Sequence, residues 1–82
     1  MATILTTPQR IEQQESFKEM YLTQLEETNQ AEYNNLIKTN QLSKLVIKTS
    51  QQMMQDLDQL MKEGMNLAEA RETVIHNYIV EM

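Results

Sequence analysis

Eighty-two residues make one small domain, near the size at which a single core is only marginally stabilising. One Gly and one Pro argue against an all-β fold, which needs turns at short intervals, and the absence of Cys excludes disulfides and thiolate metal sites. A net charge of −5 disfavours direct nucleic-acid binding, and no apolar run approaches the roughly 20 residues of a membrane span.

Gln, Glu, Leu, Lys and Met, all good helix formers, together make up half of the chain. The expected fold is all-α: a small bundle of three to four helices. Residues 1–7 are expected to form a flexible N-terminal arm, and residues 8–82 a single helical domain. The N-terminus is short and uncharged, unlike a signal peptide. The expected location is cytoplasmic.

The first helix is expected to begin at Pro8, with Thr7 as N-cap, because proline suits a first helical turn. It runs to about Glu27. Ile11, Leu22 and Leu25 lie on one side, and Phe17, Met20 and Tyr21 widen the apolar arc. Glu12, Glu15, Glu19 and Glu26 fall on one narrow strip at about 100° per residue. Such a strip solubilises a helix. It also imitates, sparsely, the charge of a nucleic-acid backbone.

Asn29 followed by Glu32 has the spacing of a capping box and opens a short second helix. Tyr33, Leu36 and Ile37 are expected to face inward. Thr39-Asn40 marks an end or a bend, and the pattern is compatible with a helix continuous through Asn40. The third helix, about Gln41 to Glu63, is the most regular. Leu42, Leu45, Val46, Met53, Leu57 and Leu60 recur at helical spacing. Ile47, Met54 and Met61 form a second row with a seven-residue repeat. Together the rows are too wide for one neighbour, so the second row is a candidate protein interface and dimer seam, or else the completion of the core.

Gly64 can adopt a left-handed conformation at a helix end, and Asn66 with Glu69 can cap the next helix. The result is a C-terminal αα-hairpin turning at Gly64-Asn66. The last helix buries Leu67, Ala70, Val74, Ile75, Tyr78 and Ile79.

Charge is uneven along the chain. Residues 1–32 carry two basic and six acidic side chains; residues 33–62 carry four Lys against Asp56 and Asp58; residues 63–82 carry Arg71 against four acids. The basic middle includes Lys44, Lys48 and Lys62, interleaved with Gln51 and Gln55 on the outer side of the third helix.

Chemistry-bearing residues are sparse. Ser16, Ser43 and Ser50 lie inside helices, without the glycine-flanked turn that exposes a nucleophile. A single Gly rules out a glycine-rich phosphate loop. Glu72 and His76 are one turn apart, with Glu69 near, and read best as a polar helix face. No catalytic, cofactor or metal residue is assigned, and the chain is not expected to be an enzyme or to take a small-molecule substrate. The expectation is a non-catalytic protein–protein interaction module, a small adaptor, inhibitor or assembly factor, working as a homodimer. Two rivals are an acidic nucleic-acid mimic that inhibits a DNA- or RNA-binding protein, and a small helical DNA-binding regulator.

Overall fold

A computed structural model describes residues 5–80. Helices α1 (Thr7–Thr28), α2 (Gln30–Lys38), α3 (Leu42–Lys62) and α4 (Leu67–Ile75) follow in order, and a π-helical turn (His76–Val80) closes the chain. No strand occurs among the described residues. The fold is the expected all-α bundle, and no described helix is long and apolar enough to cross a membrane.

Helix α1 starts one residue earlier than expected. Thr6, not Thr7, is the N-cap. Its hydroxyl accepts from the Gln9 amide at 3.4 Å, and Gln9 Oε1 accepts from the Thr6 amide at 2.9 Å. This capping box satisfies two donors that a helix start leaves orphaned. Of the expected arm, residues 1–4 lie outside the described residues. Leu5 is 6% exposed and belongs to the main core, while Thr6 and Thr7 are exposed and form the N-cap and first residue of α1.

A single residue separates α1 from α2. The Asn29 amide donates to Leu25 O at 2.9 Å, ending α1, while its side chain accepts from the Glu32 amide at 3.4 Å, starting α2. Helices α2 and α3 are not continuous. Asn40 has a φ of 57°, and Gln41 N donates to Leu36 O while Asn40 N donates to Ile37 O. That pair of bonds is a Schellman motif, which uses up the last carbonyls of α2.

The expected hairpin repeats the device. Gly64 has a φ of 106°; Met65 N donates to Leu60 O and Gly64 N to Met61 O, both at 3.1 Å. Asn66 then caps α4 by accepting from the Glu69 amide at 2.9 Å. The reciprocal half differs from a capping box: the Glu69 carboxylate accepts from the Asn66 side-chain amide at 3.0 Å.

Four long-range side-chain bridges fix the arrangement. Arg10 Nη1 donates to both carboxylate oxygens of Asp58, at 2.6 and 2.7 Å. Gln14 Nε2 donates to Ser50 Oγ at 3.3 Å. Helices α1 and α3 are therefore antiparallel. The Tyr78 hydroxyl donates to Asp56 Oδ2 at 2.7 Å, and together with the turn at Gly64 this lays the final segment antiparallel to α3. Arg71 joins α4 to α1: its Nε donates to Gln13 Oε1 at 2.9 Å, its Nη2 to Ser16 Oγ at 2.7 Å, and its guanidinium sits 5.9 Å from the Phe17 ring centroid.

The main core is Leu5, Phe17, Met53, Met54, Leu57, Met61, Ala70, Val74 and Ile79, drawn from α1, α3, α4 and the closing turn. Leu25, Leu36 and Val46 are buried outside that cluster, where α2 crosses from the end of α1 to the start of α3. The chain is elongated, 46 × 23 × 14 Å. Its radius of gyration is 13.6 Å, against about 12 Å for a compact chain of this length. One end is thus a three-helix bundle, and the other a thinner sheaf.

Candidate protein-docking face

The row Ile47, Met54, Met61 does not stay together. Met54 and Met61 are 3% and 2% exposed, inside the chain's own core. They complete the core because α3 is touched from both flanks, by α1 and by α4. Ile47 is 45% exposed. The interface reading of the row therefore rests on Ile47 alone.

The inward expectation for Ile37 fails, and Ile11 of the apolar side of α1 stands in solvent. Ile11 is 58% exposed, because the core side of α1 is the Phe17–Tyr21–Leu25 edge of its apolar arc. Ile37 is exposed, because α2 turns the adjacent Leu36 inward against α1 and α3 and leaves its other side to solvent.

The exposed residues organise into one face. Gln14 reaches Ser50 of α3, so the flank of α1 turned toward α3 includes Ile11, Lys18 and Leu22, at i−3, i+4 and i+8. Asp58 takes Arg10 of α1, so the flank of α3 turned toward α1 includes Met54 and Ile47, at i−4 and i−11. Ile11 and Ile47 are exposed, and Leu22 is half-buried. They line the outer side of the α1–α3 pair. On α1, Glu12, Glu15, Glu19 and Glu26 are all exposed and border this seam as an acidic ridge. On α3, Lys44, Lys48, Gln51, Gln55 and Lys62 are all exposed and border it as a basic and amide-bearing ridge.

Most of these charges form no ion pair among the described residues. Among the described residues the only ion pairs are Arg10–Asp58 and Lys18–Glu15, the latter at 3.1 Å. Two helix ends also carry charge of the unfavourable sign. Glu26 and Glu27 stand in the last turn of α1, where no basic residue is present. Lys44 stands in the first turn of α3, where no acidic residue is present. Carboxylates at a helix C-terminus and ammonium groups at an N-terminus oppose the helix dipole.

A shallow groove lies between α2 and α3. Leu36 and Leu45 contribute apolar surface to it, and Glu32, Gln41, Lys44 and Lys48 its polar edge. A second groove on α4 is lined by Met65, Glu69, Glu72, Thr73 and His76. Both open to solvent. No group of three His, Asp or Glu side chains among the described residues is arranged to hold a metal ion.

The serines have structural partners. Ser16 Oγ accepts from Arg71; Ser50 is fully buried, donates to Ile47 O at 2.9 Å and accepts from Gln14. Ser43 is exposed. The titration of Tyr78 is displaced. Its hydrogen bond to the Asp56 carboxylate raises its pKa above the ordinary value near 10, and burial and the nearby negative charge add to the rise.

Arg71 is the residue that sequence reasoning missed. Its spacing to Phe17, Gln13 and Ser16 is more than fifty residues, so no local pattern announces it. Comparison of the chain with family models, with curated proteins and with solved structures finds no match.

Proposed function

We propose that this chain is a non-catalytic protein-binding module, a small adaptor, inhibitor or assembly factor, that works as a homodimer. One observation carries the reading. The outer side of the α1–α3 pair keeps Ile11 and Ile47 exposed between an acidic and a basic ridge. Isolated exposed isoleucines are ordinary, but apolar residues aligned along two helices and rimmed by charge are how a soluble chain offers a docking surface. A chain this small also gains stability by burying such a seam against a partner.

The acidic-mimic reading is weaker on charge density. Glu12 to Glu26 is 14 residues, about 21 Å of helix. Four carboxylates over that length give one charge per roughly 5–7 Å, against about 1.7 Å for duplex DNA. A strip that sparse competes poorly for a groove built to hold a duplex.

Sedimentation equilibrium over a concentration series tests the proposal. The expected result is a reversible monomer–dimer equilibrium that Ile47→Lys shifts to folded monomer. A wild-type chain that remains monomeric at high micromolar concentration overturns the homodimer reading.

A further inference from the structure

We infer that the occupant of the α1–α3 face is a second copy of this chain, related by a two-fold axis parallel to the helices, so that the acidic ridge of α1 lies over the Lys44–Lys48 ridge of its partner's α3. The inference rests on the homodimer reading above and specifies its geometry.

Symmetry narrows the choices. A two-fold dimer presses the same face against itself. With the axis across the helices, α1 would lie over α1 and α3 over α3. That would stack the Glu15–Glu26 ridge on the partner's acidic ridge, or the Lys44–Lys48 ridge on the partner's basic one. Like charges brought together in this way oppose association. With the axis along the helices, α1 lies over the partner's α3 on both sides of the seam. Each acidic ridge then meets a basic one, twice over.

The register agrees with this axis. Such an axis keeps every residue at its own level along the bundle. Arg10 pairs with Asp58, and Gln14 with Ser50, so the paired numbers sum to 68 and 64. A residue n of α1 is thus level with about residue 66 − n of α3. Glu19 stands level with Ile47, between Lys44 and Lys48. Glu26 stands level with the start of α3. The complementary groups sit at matching heights without any sliding of one copy on the other. Glu26, misplaced at the negative end of its own helix, would lie near the positive end of the partner's α3, where no acid of its own is present. Ile47 would lie close to the axis and meet its own copy.

The area sets the strength. Two helices about 10 Å wide and about 30 Å long offer roughly 600 Å² per copy. That is at the low end for specific association, so the dimer should be a reversible one in the micromolar range. Its charged rims should make it weaken as salt rises.

Charge reversal tests the geometry in full-length protein, with circular dichroism as the check of folding. Glu15→Lys with Glu19→Lys should weaken dimerisation at least ten-fold, and so should Lys44→Glu with Lys48→Glu. A chain carrying all four reversals should dimerise as the wild type does, because both ridges have exchanged sign. If either pair of reversals leaves the dimer unchanged, or the four-fold variant remains monomeric while folded, this axis is overturned and the homodimer reading stands. A monomeric wild type overturns both.

A second arm is independent of charge. The chain has no cysteine, so Ile47→Cys introduces a single thiol. On the proposed axis, mild oxidation should give a disulfide-linked dimer in high yield, while a thiol at Glu72, exposed on α4 across the bundle, should not cross-link. Equal cross-linking at both positions overturns the placement of the seam.

Discussion

The two ends of this molecule are built from the same two long helices, yet they are held differently. At one end, α1 and α3 are joined by α4 and the closing turn around Phe17, Met53, Leu57 and Val74, all essentially inaccessible to solvent. Arg71 and Tyr78 tie that end together with side-chain hydrogen bonds across helices. At the other end, α2 supplies the third element and buries one side chain, Leu36. Apolar packing scales with the neighbours that a side chain can touch. The difference teaches that stability is concentrated around α4, and that the crossover end is free to serve another purpose.

Substitutions of matched chemistry break the comparison most directly. Met54→Lys should abolish cooperative folding, since an unpaired ammonium in the bundle core costs several kcal/mol, a large part of a small domain's stability. Ile47→Lys, one heptad earlier on the same helix, should leave a cooperatively folding chain whose thermal midpoint falls only by the modest, concentration-dependent amount that dimerisation contributes. Thermal melts by circular dichroism distinguish them. A folded, stable Met54→Lys protein would mean that this methionine is not core.

The next largest contrast is between two leucines. Leu57→Ala should cost about 3–5 kcal/mol in urea denaturation, as for a leucine enclosed on every side. Leu36→Ala should cost about 1–2 kcal/mol, because the groove beside it lets the site relax or admit solvent. Equal losses would show that the crossover end is as tightly integrated as the bundle end.

The two Schellman turns give a smaller contrast. Gly64 holds a φ of 106° with open space where a side chain would stand, so strain there is purely backbone. Gly64→Ala should cost about 1 kcal/mol, and Gly64→Val more. At Asn40 the φ of 57° lies in the left-handed region that asparagine tolerates, so Asn40→Gly should change stability by only a few tenths of a kcal/mol. Chemical denaturation of the three variants checks the order.

The smallest effect concerns alkaline pH. A tyrosine whose folded pKa is raised contributes stability that is fully present below its unfolded value near 10 and is lost as pH rises through the folded value. Wild type should therefore lose stability above pH 10 more steeply than Tyr78→Phe. At neutral pH the variant should differ by less than about 1 kcal/mol, the size of one partly exposed hydrogen bond. Parallel melts at pH 7 and in the alkaline range report the difference.

Local chemistry was legible where one residue type has few alternatives. Gly64 and Asn66 mark their turn because a positive φ and an N-cap each favour a short list of residues. The start of α1 was misplaced by one residue because Thr6 and Thr7 are equally able caps. The discriminating signal was Gln9, which completes a box with Thr6 but not with Thr7. The Met54–Met61 row was ambiguous in principle, since a seven-residue repeat reads alike whether the covering helix belongs to the chain or to a partner. Ile37 was misjudged, and Ile11 stands in solvent, because an apolar arc says which residues could be buried, and only the neighbours decide which edge is. Arg71 and the Arg10–Asp58 pair depend on contacts across about 50 residues and leave no local trace.

Helix α2 has a consequence beyond its size. It hangs between a one-residue joint at Asn29 and a three-residue joint at Thr39–Gln41, and one leucine anchors it. Burying a leucine is worth about 2 kcal/mol, less than the enclosed side chains of the bundle end contribute together, so α2 is the element whose local opening costs least. The crossover is the latch of the fold. Anything that grips the lifted form, a protease or a binding partner, need not force it open and has only to wait.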